Sequence, residues 1–368
     1  MIVVTVNSGS TSVKLAAFQI GAAGKVARIA NEPHAGATLQ PAAVLQAFLG
    51  GMPTPPDAIA HRVVHGGTRF KGPELITEEV LQAIRQLSAL APLHNPKAVE
   101  WIEAARHVAG TGVAQIAAFD TSFFCRMPRV ACEYALAPHF GLDQEVRRYG
   151  FHGLAHEALW RRWCELQPSF AAGGRLITLQ LGGGCSAAAI ANGRPLETSM
   201  GFSPLEGLVM ATRCGDIDPA VVPYLQHRLG LTADQIIEQF NRASGVAGVS
   251  GGETDLGKLA ADPAPQAQFA VDLYCYRVRK YLGACLTVLS GCDGIVFGGG
   301  VGEHVPAVRR RILADMGWAG IALDAEANAA ASGQDTRIDA PNSSVRVYVL
   351  AVDEEGVLVR AARAVLKD

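Results

Sequence analysis

The sequence of 368 residues has little charge of either sign in excess: 32 Lys and Arg meet 34 Asp and Glu, a formal net charge of −2, and no block of like charge interrupts the chain. That balance argues against nucleic acid or an anionic membrane as the main partner. No apolar run approaches the roughly 18 residues needed to cross a bilayer. The N-terminus enters a strand-like run at once, without the charged and apolar regions of a signal peptide, so the expected location is cytoplasmic. None of the eight cysteines, at positions 125, 132, 164, 185, 214, 275, 285 and 292, forms a Cys-x-x-Cys pair. This excludes a zinc knuckle and a redox dithiol, and leaves most of them as buried small hydrophobes. No Gly-Lys-Ser/Thr ending marks a Walker A loop, and no dinucleotide fingerprint opens a helix after the first strand. The length exceeds the usual single domain, so two domains with two apolar cores are expected.

What is present is organised around residues 2–19. Ile2 to Val6 is β-branched at every position, a tight polar turn Asn7-Ser8-Gly9-Ser10-Thr11 follows, and a second strand-like run carries Lys14. Such a hairpin tip can wrap an anion with its backbone N–H groups, with the Lys14 ammonium in reach of phosphate oxygens. An ordinary hairpin whose hydroxyls satisfy the turn would look the same. A second copy decides between them: residues 176–192 repeat strand, Gly-rich tip and strand, with Gly184 expected at the place of Gly9. A third strand, Gly294 to Phe297, runs through Gly298-Gly299-Gly300-Val301-Gly302-Glu303-His304 into a helix. Glycine lets the backbone approach a ligand closely, and three such tips, two of them repeats, indicate a duplicated nucleotide-binding core.

Between these tips lie isolated charged groups at strand ends. Ile59 to Val64 reads as a short strand ending at Gly66-Gly67, with His61, Arg62 and His65 near an edge where a cleft could open. The planar Arg62 fork suits a carboxylate or phosphate, though a solvated strand-end arginine is the commoner case. Residues 25–60, Pro- and Ala-rich, show no clear period. An amphipathic helix is expected over 77–90, and Asn95 is read as the N-cap, with Pro96 at the first position, of a helix from Lys97 to Val108. His94, just before it, could meet an anion or serve only the cap. Val113 to Phe119 reads as a buried strand delivering Asp120 at its C-terminal end, the usual place for functional groups in an open α/β sheet; an N-cap aspartate is the plainer reading. His152 sits between Gly150 and Gly153, and residues 198–207 read as a pocket-lining loop. Arg213 is a second isolated arginine, beside Asp216 and Asp218, and Pro219 is expected to start a helix. Further helices are expected over 233–244, 266–290 and 306–316, a polar mixed stretch over 320–343, and a strand from Val345 to Val352. Asp353-Glu354-Glu355-Gly356 opens the last helix, Val357 to Leu366; glutamates there suit a helix N-terminus and equally a hard cation such as Mg2+.

Taken in order, these motifs resemble the acetate kinases, the acetokinase family of the acetate and sugar kinase, Hsp70 and actin superfamily. The matching stretches are 7–14 (Asn-x-Gly-Ser-x-Ser-x-Lys), 61–67, 90–96 (Leu-Ala-Pro-Leu-His-Asn-Pro), 119–121, 148–153 (Arg-Tyr-Gly-Phe-His-Gly), 198–201, 204–207 and 215–219 (Gly-Asp-Ile-Asp-Pro). The resemblance implies an α/β fold of two duplicated ribonuclease-H-like, actin-like ATPase domains around an interdomain cleft. The first would be 1–123 plus 356–368 on the acyl-substrate side, the second 124–355 on the nucleotide side and at the interface of a homodimer. It implies reversible phosphoryl transfer from ATP to acetate, giving acetyl phosphate and ADP, with Mg2+, or Mn2+ in its place. The site must neutralise and align anions that repel one another. By this resemblance Asp120, His152 and Arg213 are catalytic, His152 donating to the transferring phosphoryl group. Arg62 holds the acetate carboxylate, with Val64, Leu93, Phe151 and Pro204 around its methyl group. Asn7 and Glu354 organise the metal. Ser10 and Ser12 belong to the phosphate loop, and Lys14, Gln180, Leu181, Gly182, Gly183, Gly184, Asp255, Leu256, Gly257, Gly300, Val301, Gly302, Glu303 and His304 to the nucleotide.

The departures from the family pattern fall on the donor side. Gln180-Leu181-Gly182-Gly183-Gly184 stands where His-Leu-Gly-Asn-Gly is usual, Asp255-Leu256-Gly257 where Asp-Met-Arg is, and His304 where the last residue of Gly-Ile-Gly-Glu-Asn is Asn. The acyl side is intact. An altered donor is therefore an alternative: weaker ATP binding, other nucleoside triphosphates, or pyrophosphate. A propionate or butyrate kinase is a second alternative, since one methylene changes discrimination by only about 1–3 kcal/mol. Two rivals from other classes are a non-catalytic nucleotide-gated clamp and a zinc or thiol enzyme. The first gives no reason for Arg62, His152 and Arg213 to occur together, and the second lacks ligand spacing.

Overall fold

The computed structural model describes residues 1–9, 12–21, 24–36, 39–140, 145–170 and 172–366, the side chain of Pro138 aside. The chain divides into two compact units. The first comprises Met1–Cys125, Phe151–Ala158 and Asp353–Asp368, and the second Arg126–Gly150 and Leu159–Val352. Phe151–Ala158, which carries His152, thus packs with the same unit as Asp120 and Glu354.

The first unit holds β1 (Ile2–Ser8), β2 (Ser12–Ile20), β3 (Val26–Ala35), β4 (Ala58–Val63), β5 (Glu74–Leu75) and β6 (Ala114–Phe119), in the order β3-β2-β1-β4-β6-β5. β1, β4 and β6 are mutually parallel, and the outer pairs are antiparallel. β1 is buried from Val3 to Ser8, which is why its side chains do not alternate between apolar and polar. β3 is the element the sequence hid. It is an edge strand, exposed along most of its length, and its Arg28, Glu32, Pro33 and His34 are edge-blunting residues rather than an apolar alternation. Helix Glu78–Gln86 starts at Thr77, whose hydroxyl accepts the Val80 N–H. Its apolar side joins Val63, Phe70 and Phe119 in one core, while Leu45, Phe48 and Trp101 cover the strands in another.

The second unit repeats the plan. β7 (Arg175–Leu181), β8 (Cys185–Ala191), β9 (Arg194–Thr198), β10 (Gly294–Gly298), β11 (Thr336–Arg337) and β12 (Arg346–Val349) lie in the order β11-β12-β10-β7-β8-β9. Read from the other edge, this is strand for strand the order of the first sheet, with β7, β10 and β12 parallel and both outer pairs antiparallel. The expected repeat is therefore present in topology, with one correction. The last paired residues before the two tips are Ser8 and Leu181, and the tip bonds are Gly9 N–H to Ser12 O and Gly182 N–H to Gly184 O. Gly9 thus corresponds to Gly182 rather than Gly184, because the second tip is one residue shorter.

Helices Ala233–Arg242, Pro265–Val288 and Pro306–Leu313 fall where helical periodicity placed them. The helix expected from Pro219 begins at Val221, and the mixed stretch 320–343 contains a short helix, Ala325–Ala330, and β11. Glu354 and Glu355 lie inside the first turn of helix Glu354–Leu366 rather than ahead of it. Among the described residues no helix is long and apolar enough to cross a membrane.

Candidate active site

In the first unit three parallel strands end side by side, and each ends on a polar group. β1 delivers Asn7, β4 delivers Arg62 and the end of β6 delivers Asp120, while Glu354 comes from the N-terminus of the last helix. Arg62 Nε donates to both Asp120 oxygens at 3.2 Å, and its Nη2 reaches Oδ2 at 2.7 Å. On the other side of the guanidinium, Nη1 meets Asn7 Oδ1 at 3.3 Å and lies 3.8 Å from Glu354 Oε2. The Asn7 amide nitrogen closes the ring, donating to Glu354 at 2.7 Å and to Glu355 at 3.2 Å. Burial alone would lower the Arg62 guanidinium; Asp120, Glu354 and Glu355 outweigh it and hold the group well above its usual range. Burial likewise raises the Asp120 carboxyl above its ordinary value while Arg62 draws it back. We read the pair as ionised, because three N–H bonds converge on that carboxylate.

His152 adds a strained backbone to this cluster. Its φ is 55°, a left-handed value that histidine seldom adopts, and it follows Gly150 at φ 78°. The next residue has no room for a side chain: a Cβ at Gly153 would run into the main-chain carbonyl of Asp120 and the Cβ of Phe123. The His152 carbonyl then accepts the His156 N–H, starting helix Gly153–Leu166. Phe151 is buried and meets His65 edge-on at 5.4 Å, Val64 is buried, and Leu93 is exposed. Lys14 is exposed on β2 opposite Asn7, and Ser12, also exposed, accepts the Gly9 N–H through its carbonyl. Ser10 lies outside the described residues.

Two expectations for this unit are corrected. His61 and His65 are fully buried rather than lining a cleft: His61 pairs with Gln115, and His65 Nδ1 accepts the Gly67 N–H. Asn95 is not the N-cap of its helix. The helix runs Asn95–Ala109 with His94 at the cap, and the buried Asn95 amide bonds the His65 backbone N–H at 3.1 Å and carbonyl at 3.0 Å. An amide can satisfy both backbone groups of one residue, and here that outweighs capping.

In the second unit, Gln180 is the last residue but one of β7, and its Oε1 is buried without a hydrogen bond. Leu181 is buried, while Gly182, Gly183 and Gly184 present backbone at the tip; the Gly183 carbonyl accepts the Ala211 N–H. β10 passes directly into helix Gly299–His304, where Gly300 is exposed, Val301 half-buried and Gly302 buried. The Glu303 carboxylate accepts the Gly299 N–H at 3.0 Å and the Val352 N–H at 3.3 Å, and His304 bonds Ser332. Asp255 caps helix Leu256–Ala261, accepting the Gly257 and Lys258 N–H groups, with Leu256 buried. Arg213 Nη1 donates to the Pro204 carbonyl at 3.0 Å and to Met210 Sδ at 3.5 Å.

Compared with known families, residues 52–360 match the Acetokinase family. The chain belongs to the acetokinase family. It is 42% identical over 307 residues to an acetate kinase of Solibacter usitatus, covering 82% of this chain and 74% of that one. Among solved structures it resembles the acetate kinase of Porphyromonas gingivalis (TM-score 0.88, 33% identity, 99% of both chains). A propionate kinase of Francisella tularensis fits equally well (TM-score 0.88, 29% identity, 99% of both chains). The paired six-stranded mixed sheets are thus the two-domain actin-like α/β fold of this family.

Acetokinase chemistry calls for a divalent metal, and the first-unit cluster fits one. Asp120, Glu354 and Glu355 outnumber the enclosed Arg62 in charge, all offer oxygen, and Arg28 approaches Glu355 only to 4.0 Å from the exposed side. Among the described residues no group of three or more His, Cys, Asp or Glu side chains is placed to hold a metal ion by itself. A divalent ion at this cluster would draw most of its shell from waters and substrate oxygens. Sequence reasoning missed Glu355 as an Asn7 partner. It also missed the group that Arg148 makes with Glu197, Glu206 and Tyr134, whose members are too far apart in the chain to form a motif.

Proposed function

We propose that this chain catalyses reversible phosphoryl transfer from ATP to acetate, forming acetyl phosphate and ADP, with its residues in the following roles. The observation that carries the reading is the ring Asn7–Arg62–Glu354, with Asp120 bonded to the outer edge of Arg62, where three parallel strands end side by side. Asp120 grips one edge of the Arg62 guanidinium, which fixes its plane and turns Nη1 toward Asn7 and Glu354, where a small carboxylate can be held. Without that cation, acetate and a polyphosphate would repel one another. Val64, Leu93, Phe151 and Pro204 would surround the methyl group. His152, fixed in its backbone by Gly153, would donate to an equatorial phosphoryl oxygen as charge develops there, and Arg213 would bridge acid and phosphoryl group. Glu354, oriented by Asn7, would hold Mg2+ or Mn2+, which neutralises phosphate charge when bound. Lys14 with Ser10 and Ser12, and the glycine tips at 180–184 and 300–304, would carry the donor phosphates. A homodimer is part of this reading.

One observation bears on the donor. At Gly182, Gly183, Gly184 and Gly257 the second unit offers backbone alone, and the Asp255 carboxylate is engaged in capping. With Gly257 bare and the Asp255 carboxylate engaged in capping, few side chains are left to read the base, so GTP is expected to compete with ATP. Trapping with hydroxylamine tests the whole reading: acetohydroxamate accumulates with acetate, ATP and Mg2+, and Arg62→Ala abolishes it. No hydroxamate from the unaltered chain would overturn it. Initial rates with ATP, GTP and pyrophosphate rank the donors, and acetate against propionate and butyrate ranks the acids.

A further inference from the structure

The second unit contains a half-buried polar group that the proposed chemistry does not use. Arg148 sends Nη1 to Glu206 Oε1, and Nη2 to Glu197 Oε1 at 3.2 Å and to the Thr198 carbonyl. Tyr134 donates its hydroxyl to the other Glu206 oxygen and accepts the Phe202 N–H at 2.9 Å. The Tyr149 N–H bonds the Gly201 carbonyl at 2.9 Å, and a side chain at Gly201 would collide with both Glu206 and Tyr134. Beyond Glu206, the Gly207 N–H donates to Asp216, whose second oxygen accepts the Tyr281 hydroxyl at 2.7 Å. Every second or third residue from Thr198 to Gly207 is thus tied down, and Pro204, whose carbonyl receives Arg213, lies two residues from Glu206.

We propose that Arg148, with Glu206 and Tyr134, is a positioning group that fixes the 198–207 loop and through it both Pro204 and the Arg213 guanidinium. The inference rests on the acetate kinase reading above and deepens it. None of the three touches substrate in it; they act by setting where Pro204 and Arg213 stand. Two carboxylates on one guanidinium make a clamp whose loss leaves two partly buried anions to repel, so the loop shifts rather than merely loosening. A displacement near 1 Å at a group that aligns reactants costs roughly a hundredfold in rate.

The test is steady-state kinetics on the full chain with Arg148→Gln, Arg148→Lys and Tyr134→Phe. Arg148→Gln is expected to lower kcat/KM for acetate by roughly 30- to 100-fold, to reduce the preference for acetate over propionate by more than about threefold, and to leave KM for ATP within about twofold, since no donor residue is touched. Arg148→Lys is expected to recover part of the loss. Tyr134→Phe, which removes one hydroxyl and no volume, is expected to shift the acid preference in the same direction and stands in should Arg148→Gln fail to fold. If Tyr134→Phe leaves kcat/KM and the acid preference unchanged, or KM for ATP rises as much as KM for acetate, the positioning role is overturned while the acetate kinase reading stands. An unaltered chain that makes no acetyl phosphate overturns both.

Discussion

Three buried histidines of the first unit should make it acid-sensitive, and by an amount that can be worked out. His61 is 1% exposed and His65 and His156 are 0% exposed; burial brings the first two down to about 4 and the third to about 3. Geometry agrees at two of them. His65 Nδ1 accepts the Gly67 N–H at 3.0 Å, and with the Gln115 amide turned to satisfy its neighbours its nitrogen donates to His61 Nε2 at 2.9 Å. A ring nitrogen that accepts a hydrogen bond has no place for a proton. Above the unfolded value near 6.5 both states are neutral and nothing is lost; as pH falls from there toward 4 the unfolded chain takes up protons that the folded chain refuses, so stability drops. At pH 5 each histidine costs about 2 kcal/mol, and the three together about 6 kcal/mol, against a typical total of about 5–15 kcal/mol. Asp120, raised by burial, works the other way as it protonates, because the folded state then takes up its proton first. The clean readout is therefore a difference between chains. In His156→Leu, the opening free energy of β4 and β6 by hydrogen exchange should change between pH 7 and pH 5 by about 2 kcal/mol less than in the unaltered chain. An identical pH increment in both chains would refute the claim that buried His156 refuses the proton.

Other consequences follow from the same geometry. Arg62→Lys keeps the charge but not the fork, so it should lower kcat/KM for acetate by at least about a hundredfold and leave KM for ATP little changed, read by coupled assay. Gly153→Ala forces a methyl group into the Asp120 carbonyl; it should depress kcat and move the His152 ring signals in NMR spectra of the full chain, and unchanged signals would count against the account of His152 strain. Thr77→Ala removes the hydroxyl that accepts the Val80 N–H and should cost about 1 kcal/mol by denaturant titration, without an effect on kcat. Removing divalent ions with EDTA should abolish activity, and added Mg2+ should restore it.

How much of this could be read from residues alone differs from element to element. The duplicated sheet showed because β1, β7 and β10 are buried and announce themselves as mainly apolar runs ending in glycine. β3 did not, because an edge strand is under no pressure to alternate, and β5 and β11 are two residues each. Strand ends flagged Arg62 and Asp120 as candidates and a polar turn flagged Asn7, but that Arg62 bonds both of the others depends on strand order, which no local pattern encodes. Asn95 misled because a capping residue type was doing something else: it holds the His65 peptide from 30 residues away. The Arg148 clamp was out of reach for the same reason, its partners being 49 and 58 residues distant.

The most direct measurement runs the reaction backwards on the purified chain, supplying acetyl phosphate and MgADP and following phosphorus by NMR. The account predicts that the acetyl phosphate resonance decays as the β- and γ-phosphate resonances of ATP grow in equal amount, and that Arg62→Ala or Asp120→Asn stops both. Acetyl phosphate lost only to inorganic phosphate, or ATP formed at an unaltered rate without Arg62, would contradict it.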